Sequence, residues 1–190
     1  MLACAVIACA AMAGCAAKPV LLVKGSAVPA GVDLSGNWAL TQPPGTQREP
    51  DSHRDPEIHR PGDSPVRRPE SRRSSRRSSG PSAQLFIEHG SVLKITQTSH
   101  GLFISFDRSV VEEFTFGENR VVAIGPVEAQ RVSGWEAESF VVQTLDEQGY
   151  VLTEVWRLVE NGNMLVRDIS IARRDKQTSF SRERFVRNPS

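Results

Sequence analysis

The sequence predicts a mainly β protein built as a single antiparallel meander that closes into a barrel or a strongly curved sheet, interrupted by one disordered insertion. Three observations carry this. Apolar and polar residues alternate with period two through most of the second half of the chain, the pattern of a sheet with one buried face. Short glycine-bearing connections separate the runs. Between residues 42 and 83, proline, serine and arginine replace nearly all large apolar residues.

In chain order, the first 17 residues carry no charge and are mostly Ala, Cys, Val, Leu and Ile, ending at Lys18-Pro19. A spanning helix needs about 20 strongly apolar residues, so this shorter, alanine-dominated stretch reads as the apolar core of an export signal. Residues 1–14 are assigned as signal peptide and 15–32 as a tether. Asp33-Leu34-Ser35-Gly36-Asn37-Trp38-Ala39-Leu40 looks like a strand standing before the insertion. An isolated strand is not stable, so residues 33–41 are expected to pair with the later sheet. That expectation turns residues 42–83 into an insertion within one domain.

The insertion is basic. Thr41 to Ala83 carries nine arginines against six acids, whereas Gln84 to Ser190 carries twelve basic against fifteen acidic residues. With Ile58 and Val66 as its only branched aliphatics, it cannot bury enough apolar surface to offset chain entropy. Arg67, Arg68, Arg72, Arg73, Arg76 and Arg77 form its densest run and are candidate anion-binding residues, for anionic lipid or another envelope polyanion. No aromatic residue is interleaved for base stacking, which argues against nucleic acid. A solvated basic segment without a dedicated partner is the plainer alternative.

The β domain is expected over 84–190. Ser82 to His89 is the one candidate helical turn. Leu93 and Ile95 then alternate with Lys94 and Thr96, and Leu102, Ile104 and Phe106 follow. Val110, Glu112, Phe114 and Phe116 share a face, as do Phe140, Val142 and Thr144. Leu152, Glu154, Trp156 and Leu158 line the next strand, Leu165, Arg167, Ile169 and Ile171 the one after, and Phe180 to Val186 closes the series of about eight strands. Asn161-Gly162 is read as a two-residue hairpin turn, since both residues tolerate positive φ. Positions summing to about 323 would then face each other, bringing Glu154 opposite Asp168 or beside Arg167.

Candidate chemistry is sparse. The four histidines lack ligand spacing, Glu112 and Glu113 point to opposite faces, and no serine sits in a nucleophile elbow, so neither catalytic residues nor a metal or other cofactor are implied. Glu154 and Arg167 form either a rim salt bridge or a ligand-facing pair in a cavity. Trp38, Trp135 and Trp156 either line a pocket or fill the core.

Two resemblances bear on function. Met12-Ala13-Gly14-Cys15 resembles the lipobox of bacterial lipoproteins, with methionine where leucine is commoner and no Lys or Arg before the apolar stretch. The resemblance implies cleavage between Gly14 and Cys15, lipid on Cys15, and an outer-membrane anchor facing the periplasm. Cys4 and Cys9 fall within the signal, leaving the mature chain no second thiol. Leu34-Ser35-Gly36-Asn37-Trp38, Leu93 to Gln97, Gly134-Trp135 with Phe140 to Thr144, and Glu154 to Leu158 resemble uncharacterised exported bacterial proteins with a lipocalin-like sheet. Together they imply a lipid-anchored, non-catalytic envelope protein with a binding or structural role. The alternatives are a lipocalin-like carrier of a small apolar ligand and an assembly lipoprotein docking to an outer-membrane protein.

Overall fold

The computed structural model of the chain describes residues 19–42, 80–174 and 176–188. Ten strands form one antiparallel sheet: β1 Gly36–Gln42, β2 Val92–Gln97, β3 Gly101–Phe106, β4 Val110–Thr115, β5 Glu118–Ile124, β6 Val127–Glu136, β7 Ser139–Asp146, β8 Tyr150–Val159, β9 Met164–Arg173 and β10 Lys176–Arg187. The order across the sheet is β4-β3-β2-β1-β10-β9-β8-β7-β6-β5. The sheet is therefore curled and not closed by a backbone ladder. Near the β4–β5 connection the two ends of the sheet are tied by hydrogen bonds: Ser133 Oγ of β6 donates to the Thr115 carbonyl (2.8 Å), the Gly117 amide to the Ser133 carbonyl (2.8 Å), and Arg120 Nη2 of β5 to the Glu113 carbonyl (2.9 Å).

β1 lies between β10 and β2, pairing Trp38 with Arg187 on one side and with Leu93 on the other. Residues 43–79 thus connect neighbouring strands of a single sheet. No helix among the described residues is long and apolar enough to cross a membrane.

The alternating runs bury as expected, with Leu93, Ile95, Leu102, Ile104, Phe106, Leu152, Trp156, Leu165 and Phe185 all inside. Two strands that alternation does not reveal are β5 and β6. β5 is an end strand with Val121 and Ile124 exposed, so it has no buried face to mark it. In β6 five consecutive residues, Arg131 to Trp135, are buried because both faces are covered.

The outer cover is residues 19–35, which are no free tether but a strap fixed to the sheet. Pro19 sits by the Gly149 turn, Leu21 is buried, and Gly25 pairs with Trp135 through two backbone hydrogen bonds of 3.0 and 2.9 Å. Val28, Val32 and Leu34 then close the end of the core, where the Gln97 side chain bonds the Leu34 amide and the Val32 carbonyl.

The helical turn is a short 3-10 helix, Ser82–Phe86, with Ala83 and Phe86 buried and Leu85 outside. The folded part therefore begins ahead of residue 84. Asp146 fixes this segment: Oδ2 accepts from Ser82 Oγ (2.9 Å) and the Ala83 amide (3.0 Å), while Oδ1 accepts from the Gln148 and Tyr150 amides of its own turn.

The β8–β9 connection corrects the two-residue turn. Val159 pairs with Met164, so four residues form the loop, with Glu160, Asn161 and Gly162 at φ 52°, 55° and 85°. The facing sum of 323 survives, because the loop is symmetric about the same point. Glu154 faces Ile169, not Asp168, and Trp156 faces Arg167.

Candidate functional site

The inner faces of β6, β8 and β9 each carry a charged or polar position between apolar ones: Ala129-Arg131-Ser133-Trp135, Leu152-Glu154-Trp156, and Leu165-Arg167-Ile169. Period two turns these positions to the inner face of each strand, and the register sets them diagonally across the sheet, Arg131 in the row of Leu152, Glu154 opposite Ile169, and Arg167 opposite Trp156. A polar layer therefore lies between an apolar cluster of Ala129, Leu152 and Ile169 and the main core around Trp135, Trp156 and Leu165.

Arg167 is the centre of this layer. Its Nε (3.0 Å) and Nη2 donate to Glu154 Oε2, and its Nη1 donates to Glu183 Oε2 (3.1 Å) and to the Glu88 carbonyl (2.7 Å). The guanidinium carbon stands 4.6 Å from the Trp156 ring centroid and 5.5 Å from that of Phe106. Burial opposes its charge, but Glu154 and Glu183 outweigh that and hold it above its ordinary value. Glu183 also meets His89 Nδ1 at 2.8 Å. Burial would raise the Glu183 carboxyl, yet His89 and Arg167 hold it below its ordinary value. Of the two arrangements expected for this pair, the rim salt bridge is not found: the pair is interior, with both side chains almost wholly buried.

A second guanidinium, Arg131, donates from Nε to Thr144 Oγ1 (3.1 Å) and from Nη2 to the Phe86 carbonyl (3.4 Å), lies 5.7 Å from the Phe86 and Phe114 centroids, and faces Glu112 at 3.7 Å. Both arginines therefore reach carbonyls of the 80–91 segment, and Asp146 and Glu183 bind it too. The polar layer latches that segment over the inner face.

Glu112, on the end strand β4, is the least compensated member. Burial pushes its carboxyl up to about 7, only partly countered by Arg131 and further raised by Glu154. The folded value exceeds that of the unfolded chain, so the native state binds more protons between about pH 4.5 and 7, and stability falls as pH rises through that window. Glu183 and Asp168 are held low, Asp168 by Arg182 and Arg157 against its own burial, so their contributions are lost as pH falls through their folded values. Wild-type stability should accordingly peak on the acid side of neutral. Glu112→Gln is expected to flatten the fall above the peak and raise stability at pH 8 by on the order of 2 kcal/mol, read from urea midpoints across pH 5–8. A wild-type midpoint that does not change over that range would contradict the assignment.

Trp38, Trp135 and Trp156 belong to the main core. Trp38 Nε1 donates to the Leu34 carbonyl (3.1 Å) and its ring lies 4.4 Å from the Arg187 guanidinium carbon. Trp135 packs edge-to-face on Phe116 (5.3 Å) and Phe140 (5.8 Å). The indole N–H groups of Trp135 and Trp156 are buried without a hydrogen-bond partner among the described residues. The described clefts are lined elsewhere, by residues such as Lys94 and Arg108, Val151 and Arg174, or Gln97 and Ser99. Gly14, Cys15 and the arginines 67, 68, 72, 73, 76 and 77 lie outside the described residues. No group of His, Asp or Glu among the described residues is placed to hold a metal ion.

Sequence reasoning found Glu154 and Arg167 but missed Glu183, His89, Arg131 and Asp146 as members of the layer. A signal existed for two of them: Glu183 alternates with Phe185, and Arg131 with Trp135. Nothing local marks His89, whose role depends on a partner 94 residues away.

No protein-family model and no curated protein matches the chain. Solved structures similar to it include a secretory abundant heat soluble protein from Ramazzottius varieornatus, at 10% identity and TM-score 0.40 over 51% of this chain and 70% of that one. A second such protein from the same organism aligns at 11% identity and TM-score 0.39, over 52% of this chain and 69% of that one. The fluorescent protein UnaG, in the form of a point mutant, aligns at 16% identity and TM-score 0.37, over 52% of this chain and 72% of that one.

Proposed function

We propose that this is a bacterial envelope protein, lipidated on Cys15 and held at the outer membrane facing the periplasm, whose curled sheet has a binding or structural role and not a catalytic one. The observation that carries the non-catalytic reading is the pairing of Arg167 with both Glu154 and Glu183 at the centre of the polar layer. The donors of Arg167 and those of Arg131 are directed at groups of the fold itself. A group so engaged is a poor general acid or base, because its proton affinity is fixed by a structural partner. The carrier reading of a small apolar ligand draws on the two unpartnered indole N–H groups, which an internal guest could meet.

Both readings are tested together by native mass spectrometry of protein purified from the envelope. The expected result is a diacylglyceryl mass on Cys15 and no retained guest. A retained small molecule would favour the carrier. Cys15→Ser is expected to move the protein from the membrane pellet to the soluble fraction. Labelled palmitate entering wild type and Cys15→Ser equally would remove the anchor from this reading.

A further inference from the structure

We infer that the sheet docks directly on an anionic bilayer, and does so by the end that carries Pro19, the Gly149 turn and the Arg173–Lys176 turn. This rests on the reading of Cys15 as the lipid anchor.

The path of the strap sets the geometry. It starts at Pro19, whose Cδ lies 3.9 Å from where a Cβ on Gly149 would be. From there it runs along the outer faces of β7, β8 and β9, past Arg174 and Val151, to the Gly25–Trp135 pair at the opposite end of the sheet. Three residues separate Cys15 from Pro19, and the four Cα steps between them reach at most about 14 Å even when fully extended. A lipid on Cys15 therefore holds the Gly149 end within that distance of the membrane interface. The longer connection of residues 43–79 adds no slack, because it sits between β1 and the 3-10 helix, downstream of the strap.

The surface at this end suits a bilayer in composition as well as in position. Along the outer face leading away from this end, the strap buries Leu21 but leaves Val20, Leu22 and Val23 at 78, 74 and 62% exposure. No polar requirement of the fold explains three outward apolar side chains in four residues, and an interface absorbs them. Beside them, Arg173, Arg174 and Lys176 are exposed; the acids of this end are Asp175, within the same run of sequence, and Glu147 of the adjoining turn, so cations outnumber acids three to two. Tyr150 supports the arrangement, its ring 5.0 Å from the Arg173 guanidinium carbon. Apolar residues flanked by cations are what an interface with anionic headgroups attracts. At the opposite end the exposed cations Arg187 and Arg120 are engaged by the fold, Arg187 with the Ser35 and Gly162 carbonyls and Arg120 with the Glu113 carbonyl and Glu118.

The test uses residues 15–190, which retain every contact described, with Cys15 coupled chemically to a maleimide-bearing phospholipid in vesicles. A reporter tryptophan is placed at Leu22→Trp, and a control at Phe103→Trp, which is exposed at the middle of β3, a strand the strap does not cross. In vesicles of phosphatidylethanolamine and phosphatidylglycerol containing brominated-acyl lipid, the Leu22→Trp increment should be quenched and the Phe103→Trp increment unchanged. Replacing Arg173, Arg174 and Lys176 with glutamine should weaken partition of the unlipidated Cys15→Ser chain onto these vesicles on the order of 100-fold and leave its partition onto phosphatidylcholine unchanged. Equal quenching at both positions, quenching at neither, or an unaltered partition of the triple variant would overturn the docking. Because the lipid is attached in vitro, those failures are separate from failure of the anchor itself, which the cellular mass at Cys15 reports.

Discussion

Arg167→Met is expected to lower stability by about 3–5 kcal/mol near pH 7, the cost of removing one partner from a buried ionic group. The substitution keeps the stem of the side chain and removes the guanidinium that lies against Trp156 and Phe106, so a packing loss adds to the electrostatic one. What it leaves is two carboxylates, Glu154 and Glu183, each with a side chain only 2% exposed. Glu183 retains His89, but Glu154 loses the cation that donates to it through two nitrogens. The Glu88 carbonyl also loses its donor and Trp156 its cation. The loss should be visible as a shifted urea midpoint, and it should shrink as pH falls and the orphaned carboxylates take up protons. Combining Arg167→Met with Glu154→Leu and Glu183→Leu should restore most of the stability, since replacing a whole buried ionic set by apolar residues is often neutral or better. A triple variant as unstable as the single one would mean that Arg167 acts by positioning the 80–91 segment and not by charge balance.

Why that site was only half legible follows from the range of the interactions. Period two placed Glu154 and Arg167 on inward faces, and the symmetry of the β8–β9 loop put them within reach, although the turn itself is longer than two residues. Local patterning could not say whether that inward face was a rim or an interior, because depth depends on what covers the face. Here the cover is the 80–91 segment, brought in from between β1 and β2 and held by Arg131, Arg167, Asp146 and Glu183. The same limit explains β6. Alternation vanishes from Arg131 to Trp135 because the strap buries the outer face, and nothing in Pro19 to Ser26 announces that it will lie there. β1 was legible for the opposite reason: a tryptophan flanked by small and apolar residues needs a sheet on which to pack, wherever the chain finds it.

Gly134→Ala is expected to be the second most damaging change, at about 3 kcal/mol or more, and its damage should be local to the strap. A Cβ at Gly134 would lie 2.4 Å from the Gly25 carbonyl oxygen, 2.8 Å from Lys24 Cβ and 2.9 Å from the Gly117 amide nitrogen. Two of those three atoms are backbone and cannot rotate away. The φ of 155° adds strain for any residue with a side chain. Relief requires the strap to leave β6, which breaks the Gly25–Trp135 pair and uncovers Leu21, while the β7–β8–β9 ladders have no reason to yield. Hydrogen exchange should therefore show lost protection at the Gly25 and Trp135 amides with protection kept at Val155. Gly31→Ala is the matched control, since it also replaces a positive-φ glycine but meets no atom within 4 Å. Unchanged protection at Gly25 would show that the close approach does not seat the strap. If the strap does come free, the chain between Cys15 and the sheet lengthens from three residues to about twenty. Quenching at Leu22→Trp should then lose its contrast with Phe103→Trp even though the lipid remains in place, which makes one methyl group at Gly134 a test of whether the strap, and not the anchor alone, orients the sheet.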